Sequence, residues 1–145
     1  MRNIKYVVIH CTATPQATKI SSILNYWQNV LKWKNPGYHF IIDQDGNICK
    51  LQDITKIANG VQNYNKYAIH IAYIGGIDNA GKPKDNRTLK QKDKLLYKVR
   101  ELKRMFPNAV VLGHRDFPNV HKACPSFDAK KNIQIFLTLF NILYI

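Results

Sequence analysis

Apolar and polar residues along the chain repeat with two different periods, and these periods predict strands and helices in alternation. Short apolar runs rich in β-branched residues are typical of buried strands. The predicted strands of this kind are Ile4–His10, Ile69–Ile74 and Asn108–Gly113. Apolar residues spaced three and four apart are typical of amphipathic helices. The predicted helices are 18–33, 89–106 and 129–144.

A β-hairpin is predicted between the first and second helices. The segments Tyr38–Asp43 and Asn47–Leu51 flank a turn sequence that ends in Gly46. No repeat, low-complexity tract or Pro/Gly/Ser-rich linker divides the 145 residues, so we expect one domain over 1–145. The pattern predicts an α/β fold, with a central, mainly mixed β-sheet flanked by three principal α-helices.

The chain is strongly basic, with a net charge of +13 and an isoelectric point of about 9.8. Such a charge favours an anionic partner: a nucleic acid, an acidic membrane or an anionic cell-wall polymer. The lysine-rich segment 90–104 carries no zinc-finger, helix-turn-helix or RNP signature, so a specific nucleic-acid role is not expected. The apolar end, Ile133–Ile145, has thirteen residues and is too short to span a bilayer.

The termini and cysteines bear on the compartment. The N-terminal run is broken by Lys5 and does not have the pattern of a secretory signal, so we expect synthesis in the cytoplasm. The chain has three cysteines without CxxC spacing, so at least one thiol is free or bound to a metal. Free thiols favour folding in a reducing compartment.

Two predicted strands end in a histidine, at His10 and His114, and Cys124 follows ten residues after the second. Imidazole nitrogen and thiolate sulfur are good zinc ligands, and three protein ligands leave a fourth position for water or substrate. Spacing alone leaves ordinary alternatives open for all three residues. A lone histidine is more often a surface or core residue, and a lone cysteine is more often an inert buried thiol.

Four segments of the chain resemble one known family in order and separation. They are VVIHCTAT, NPGYHFIIDQDGNI, YNKYAIHIAYIGGIDNAGK and GHRDFPNVHKACPSFD. The chain resembles the type 2 N-acetylmuramoyl-L-alanine amidases from about Tyr6 to Asp128, especially the lysozyme-like zinc amidases of phages. That family shares its fold with the peptidoglycan recognition proteins. The resemblance implies one zinc ion per chain and hydrolysis of the bond between N-acetylmuramic acid and L-alanine in peptidoglycan.

The resemblance also implies roles for individual residues. His10, His114 and Cys124 match the three zinc ligands, Tyr38 matches the active-site tyrosine, and Lys122 matches the lysine beside the metal. The loop before Lys122 is longer than in the short phage form, so its neighbour His121 competes for that role. The implied biology is a phage or prophage endolysin that acts on the cell wall after release from the cytoplasm, with its oligomeric state left open.

The remaining histidines and cysteines are expected to be structural. His39 should face away from Tyr38 and pack, and His70 should be a buried neutral histidine without an evident partner. Cys11 should be a packed thiol, and Cys49 receives no role. Asp128 either orients a metal ligand or caps the last helix.

The chain departs from the family at two places. Gly60 and Val61 stand where many members have an Ala-His pair, and we expect this to alter the substrate groove rather than the metal site. The tail 132–145 is more apolar than the family ending, and we expect it to cover a surface or mediate association. The rival function is a non-catalytic peptidoglycan-binding module; Cys124 argues against it, because members without activity generally lose the cysteine.

Overall fold

Five strands form one mixed sheet in the computed structural model of the chain, which describes the backbone of residues 2–143 and the side chains of residues 2–138. The strands are β1 Tyr6–Cys11, β2 Phe40–Ile42, β3 Ile48–Lys50, β4 Ala68–Tyr73 and β5 Val110–Gly113. Their order across the sheet is β3-β2-β4-β1-β5. All neighbouring pairs are parallel except the β2–β3 hairpin. The predicted α/β fold with a mixed sheet is confirmed.

Three α-helices pack against the sheet, as predicted. They are α1 Ile20–Asn25, α2 Leu89–Met105 and α3 Ala129–Leu143. The first is shorter than the predicted 18–33, because its last turns widen into a π-helix over Tyr26–Val30. Residue 144 of the predicted third helix and the final side chains of the apolar tail lie outside the described residues. Among the described residues, no helix is long and apolar enough to cross a membrane.

The sheet has two chemically different faces, because successive residues of a strand point to opposite sides. We call the side covered by α2 and α3 the helical face and the other side the histidine face. The helical face is apolar, and its strand residues are Val7, Ile9, Phe40, Ile42, Ile69, Ile71 and Tyr73. The histidine face combines apolar residues with imidazoles, and its members are Val8, His10, His39, Ile41, Ala68, His70 and Ala72.

The helix α2 is fixed on the helical face by its start and by its buried stripe. Thr88 caps the helix, with its hydroxyl accepting from the Gln91 N–H at 3.1 Å. The Gln91 side chain is buried and donates to the carbonyl groups of Ile42 and Ile74, which ties the helix to β2 and to the residue after β4. Further along, Leu95, Val99 and Leu102 are fully buried against the sheet.

The β2 strand begins two residues later than predicted, and this changes the orientation of the residues before it. The His39 carbonyl accepts from two successive N–H groups, those of Leu51 and Gln52. Strict alternation therefore does not extend back to Tyr38. The rings of Tyr38 and His39 both lie among the histidines, at His10 and His70 respectively, rather than on opposite sides of the sheet.

Candidate metal centre

Three potential metal ligands converge where β1 and β5 end. His10 is near the end of β1, His114 follows β5, and Cys124 lies in the loop before α3. One donor atom from each lies within 4.8 Å of the others, and His10 Nδ1 is 3.9 Å from Cys124 Sγ. The carboxyl ends of adjacent parallel strands share one edge of a sheet, which brings the two histidines together. Two nitrogens and one sulfur suit a tetrahedral zinc ion with one open position.

Backbone contacts hold Cys124 beside the end of β1. The Cys11 N–H donates to Cys124 Sγ at 3.3 Å, and the Arg115 N–H donates to the Cys124 carbonyl at 2.9 Å. Close approach of this loop to β5 requires a glycine at position 113. A Cβ atom there would lie 2.8 Å from the Cδ of Pro125. The position of Cys124 is thus set by backbone contacts with the end of β1 and with the residues that follow β5.

The surroundings of the two histidine ligands favour the neutral form of their imidazoles. Burial lowers the pKa of His10 well below its ordinary value, and the neighbouring His70, His114 and Lys122 lower it further. Burial, and then Lys122, lowers the pKa of His114 to about 4. Neutral imidazole is the form that binds a metal, so both side chains are ready to donate at neutral pH.

The Cys124 thiol differs, because its surroundings favour the protonated form. A hydrogen bond with Cys11 and then burial raise its pKa well above the ordinary value, and Lys122 acts in the opposite direction. Since the thiolate is the form that binds a metal, a cation here has to take the place of the thiol proton. Metal binding at this site is therefore coupled to proton release.

Tyr38 lies directly against the ligand cluster. Its ring is centred 5.0 Å from the His10 ring and 5.2 Å from the Trp27 ring. Its hydroxyl donates to the Cys11 carbonyl at 3.3 Å. Burial, with Cys124 and Cys11 nearby, raises the pKa of Tyr38 well above its ordinary value. The phenol is therefore a permanent hydrogen-bond donor at the edge of the site.

Two neighbouring cavities, which share lining residues, distinguish the position of Lys122 from that of His121. A cavity of about 180 Å³ is lined by the three ligands, Tyr38 and Lys122. A larger, polar groove of about 620 Å³ adjoins it and is lined by both Lys122 and His121. Both side chains are exposed, but of the two only Lys122 lines the ligand cavity. The geometry favours Lys122 over His121 as the cation beside the ligands.

A second layer of polar residues lies behind His10, and sequence reasoning missed it. His10 Nε2 is 2.9 Å from His70 Nδ1, and His70 Nε2 is 2.9 Å from Asn65 Oδ1. The His39 ring stacks on the His70 ring at 5.8 Å. His70 is buried as expected, yet it has two side-chain partners where none was evident. The missing signal was the β1–β4 register, which places His70 opposite Val8 and within reach of His10.

Gly60, one of the positions at which the chain departs from the family, lies against the His70 ring of this second layer. A Cβ atom at Gly60 would lie 2.2 Å from His70 Nδ1. Gly60 also lines both cavities. The glycine therefore leaves space for His70, the neighbour of His10, and also shapes the groove that was expected to change.

The other residues considered from the sequence have structural environments. Cys11 is 4% exposed, with its sulfur 3.8 Å from the Ser126 hydroxyl. Cys49 is half-buried in β3. Asp128 accepts from the Lys131 N–H at 3.0 Å, so of its two suggested roles the structure favours capping α3.

Comparison with known proteins gives one consistent family. Residues 1–127 match the family described as N-acetylmuramoyl-L-alanine amidase. The endolysin of Klebsiella phage KP32 is 34% identical over 126 residues, which cover 86% of this chain and 82% of that protein. The endolysin of Escherichia phage T7 is 32% identical over 126 residues, with the same coverage of 86% and 82%.

Solved structures agree in fold. The Ph2119 endolysin from a Thermus scotoductus bacteriophage superposes with a TM-score of 0.78 at 24% identity, covering 93% of this chain and 85% of that one. The bumblebee recognition protein PGRP-SA superposes with a TM-score of 0.77 at 22% identity, covering 94% of this chain and 84% of that one. At these identities the likeness concerns the fold.

Proposed function

The chain belongs to the N-acetylmuramoyl-L-alanine amidase family, and we propose that His10, His114 and Cys124 hold the zinc ion of this amidase. The reaction is hydrolysis of the amide bond between N-acetylmuramic acid and the L-alanine of the stem peptide in peptidoglycan. The observation that carries the zinc proposal is the convergence of two neutral imidazoles and one cysteine within 4.8 Å beside a cavity.

Amide hydrolysis requires a nucleophile, stabilisation of a developing oxyanion and a proton for the leaving amine. Zinc, when bound, supplies Lewis acidity that activates water at neutral pH and polarises a carbonyl group. His10 and His114 would hold it through ring nitrogens, and Cys124 would hold it as the thiolate after releasing its proton to solvent. The wide groove beside the cavity accommodates the glycan and peptide portions of the substrate.

Lys122 and Tyr38 supply the remaining polar groups of the proposed site. Lys122 lines the cavity with the ligands, so its ammonium group stabilises negative charge on the tetrahedral intermediate. Tyr38 keeps its proton and has a fixed ring against His10 and Trp27, so its hydroxyl, once turned from the Cys11 carbonyl, donates a hydrogen bond that orients the reacting groups. Both roles need correct placement rather than a change of charge during the reaction.

We further propose that the protein is a phage or prophage endolysin. The support is the similarity to phage endolysins at 32–34% identity over more than four-fifths of both chains. The net charge of +13 also suits an enzyme whose substrate is an anionic wall polymer.

Metal analysis combined with product analysis tests the proposed function. We expect about one zinc per chain, loss of wall hydrolysis on chelation and recovery when zinc is returned. Digested sacculi should gain free L-alanine amino termini without gaining reducing sugar ends. Full activity in the chelated protein would refute the zinc proposal. New reducing ends would instead indicate a glycosidase, which uses a pair of carboxylates.

A further inference from the structure

Behind His10, a chain of three side chains runs from the proposed metal position into the protein interior. Its links are His10 Nε2 to His70 Nδ1 and His70 Nε2 to Asn65 Oδ1, both at 2.9 Å. We infer that His70 and Asn65 are positioning residues that fix the tautomer of His10 and direct its Nδ1 lone pair to the metal. This inference rests on the proposed zinc site.

The direction of the chain is set at its inner end by Asn65. Its side-chain Oδ1 atom accepts from the Val61 backbone N–H at 2.7 Å, and a backbone N–H can only donate. The atom facing His70 is therefore the amide oxygen rather than the nitrogen. The Asn65 backbone is also anchored, because the Arg2 guanidinium donates to its carbonyl at 2.6 Å.

An oxygen at Asn65 forces the orientation of both imidazoles. His70 Nε2 must carry the proton that it donates to Asn65, and a neutral imidazole carries only one. His70 is fully buried and lies among other imidazoles, so it stays neutral and its Nδ1 is an acceptor. The proton between the two rings then belongs to His10 Nε2. This leaves His10 Nδ1, the atom facing Cys124 Sγ at 3.9 Å, unprotonated.

The ring of His70 is also held in place sterically. On one side the absence of a side chain at Gly60 gives the ring its space, since a Cβ there would lie 2.2 Å from Nδ1. On the other side His39 stacks on it at 5.8 Å, with the ring planes 14° apart. Outer partners of metal-bound histidines typically contribute about 10–100-fold to metal affinity or activity. We expect an effect of that size here.

Matched substitutions at His70 separate the hydrogen bond from the shape of the side chain. Asparagine and leucine have similar size, but asparagine can place its oxygen near the position of Nδ1. His70→Leu should weaken zinc affinity about 10–100-fold, measured by competition with a chelator of known affinity, and His70→Asn should recover most of it. Asn65→Leu should weaken zinc binding in the same direction.

A control variant should remove hydrogen bonds from the same buried cluster and leave intact the hydrogen-bonded chain of His10, His70 and Asn65, called the relay below. His39 accepts from the His70 backbone N–H and donates to the Lys56 carbonyl, and neither of these bonds involves the His10 ring. His39→Phe keeps an aromatic ring stacked on His70 and removes only the hydrogen bonds of His39, so it should lower stability while keeping zinc affinity near the wild-type value. Gly60→Ala should weaken zinc binding in the wild-type background and have little further effect beside His70→Leu, because the smaller, flexible side chain can yield.

A direct measurement of the tautomers tests the relay without any variant or bound metal. Long-range ¹H–¹⁵N spectra of wild-type protein stripped of zinc should show both His10 and His70 protonated at Nε2. A proton on His10 Nδ1, or unchanged zinc affinity in a folded His70→Leu variant, would overturn the inference. If the wild type binds no zinc, the proposed metal site fails, and the spectra still decide separately whether the relay exists.

Discussion

On the helical face of the sheet, β1 and β4 contribute Val7, Ile9, Ile69 and Ile71 to a continuous apolar core. On the histidine face, the same two strands place His10 and His70 among alanine and valine. Both faces are equally buried. The first is covered by helices, and the second by loops and the short α1, which leave an opening at the sheet edge beside His114.

The difference between the faces separates stability from chemistry. Burying an apolar side chain contributes about 1.5–3 kcal/mol, so the helical face stabilises the fold. Burying an imidazole carries a desolvation cost that hydrogen bonds must offset. The histidine face offsets it by linking His39, His70 and His10 to one another and to backbone or amide groups. Loss of a metal ligand should therefore remove zinc without unfolding the protein, and truncation in the helical core should lower stability without removing zinc.

The largest expected effect is the loss of metal and activity from the histidine face. His114→Ala leaves two of the three proposed ligands, so zinc should be lost and wall hydrolysis should fall to background. Because His114 is only half-buried, the variant should still fold cooperatively in urea. His121→Ala is the matched control and should keep its zinc, since it lines only the outer groove. Retention of stoichiometric zinc by His114→Ala would contradict the ligand assignment.

The reverse experiment damages the helical face. Leu95 is 1% exposed under α2, and its truncation to alanine should lower the free energy of unfolding by about 2–5 kcal/mol. Zinc stoichiometry of the folded fraction should not change. Leu89→Ala, in the same helix, is the control, because Leu89 is 82% exposed and should change stability little. Equal losses at the two leucines would mean that α2 is not packed as described.

The same contrast explains how much of the fold was readable from the sequence. Apolar periodicity predicted all three helices and the hairpin, because the helical face needs only burial and any apolar residue of suitable size supplies it. Boundaries were less accurate. The π-helix at Tyr26–Val30 and the bulge at His39 depend on contacts between distant segments, which local patterns do not contain.

The candidate site divides in the same way. His10, His114 and Cys124 stood out because the motifs around them resemble a family, whereas their spacing alone left ordinary alternatives. His70 and Asn65 carried no such signal, since their significance depends on the pairing of β1 with β4. Parallel register is a long-range property and cannot be read from either strand by itself.

A smaller effect is expected from polar groups that contact the reaction without holding the metal. Tyr38→Phe and Lys122→Ala should each keep zinc and fold but lower kcat by roughly 10²–10³, typical of one lost transition-state contact. Steady-state rates on sacculi, together with zinc content, check both variants. Near-wild-type kcat in either variant would remove that residue from the proposed mechanism.

Acid should lower the free energy of unfolding through the buried histidines of the histidine face. Burial lowers the pKa of His39 from 6.5 to about 4, so the unfolded chain binds a proton that the folded chain resists. Stability from the neutral ring is complete above about pH 6.5 and is lost as the pH falls toward 4, by up to about 1.4 kcal/mol per pH unit for each such histidine. Urea unfolding of zinc-stripped protein should show this slope, and His39→Phe should make it shallower. An unchanged slope would exclude His39 as a contributor.

The basic surface of α2 lies beyond the helical face, on the opposite side of the sheet from the groove. The helical periodicity of α2 predicts that four of its basic residues face solvent: Lys90, Lys94, Lys98 and Arg104. Lys98 does not fit that description. Its ammonium group contacts Glu101 at 2.7 Å and lies 4.3 Å from the centre of the Phe40 ring, with the side chain 12% exposed. The other three are exposed.

The smallest expected effect is therefore one on wall binding alone. Reversing Lys90, Lys94 and Arg104 to glutamate should raise KM on sacculi at low salt, because the peptidoglycan stem peptides carry carboxylates. The difference should shrink at physiological salt, where exposed charges are screened over about 8 Å. Turnover of a small soluble muropeptide should not change, since α2 is separated from the groove by the sheet.

The variant Lys98→Glu is different, because it breaks the packed ion pair with Glu101 and should therefore lower stability as well. Unchanged sacculus binding by the triple reversal at every salt concentration would show that this helix is only a solvated surface.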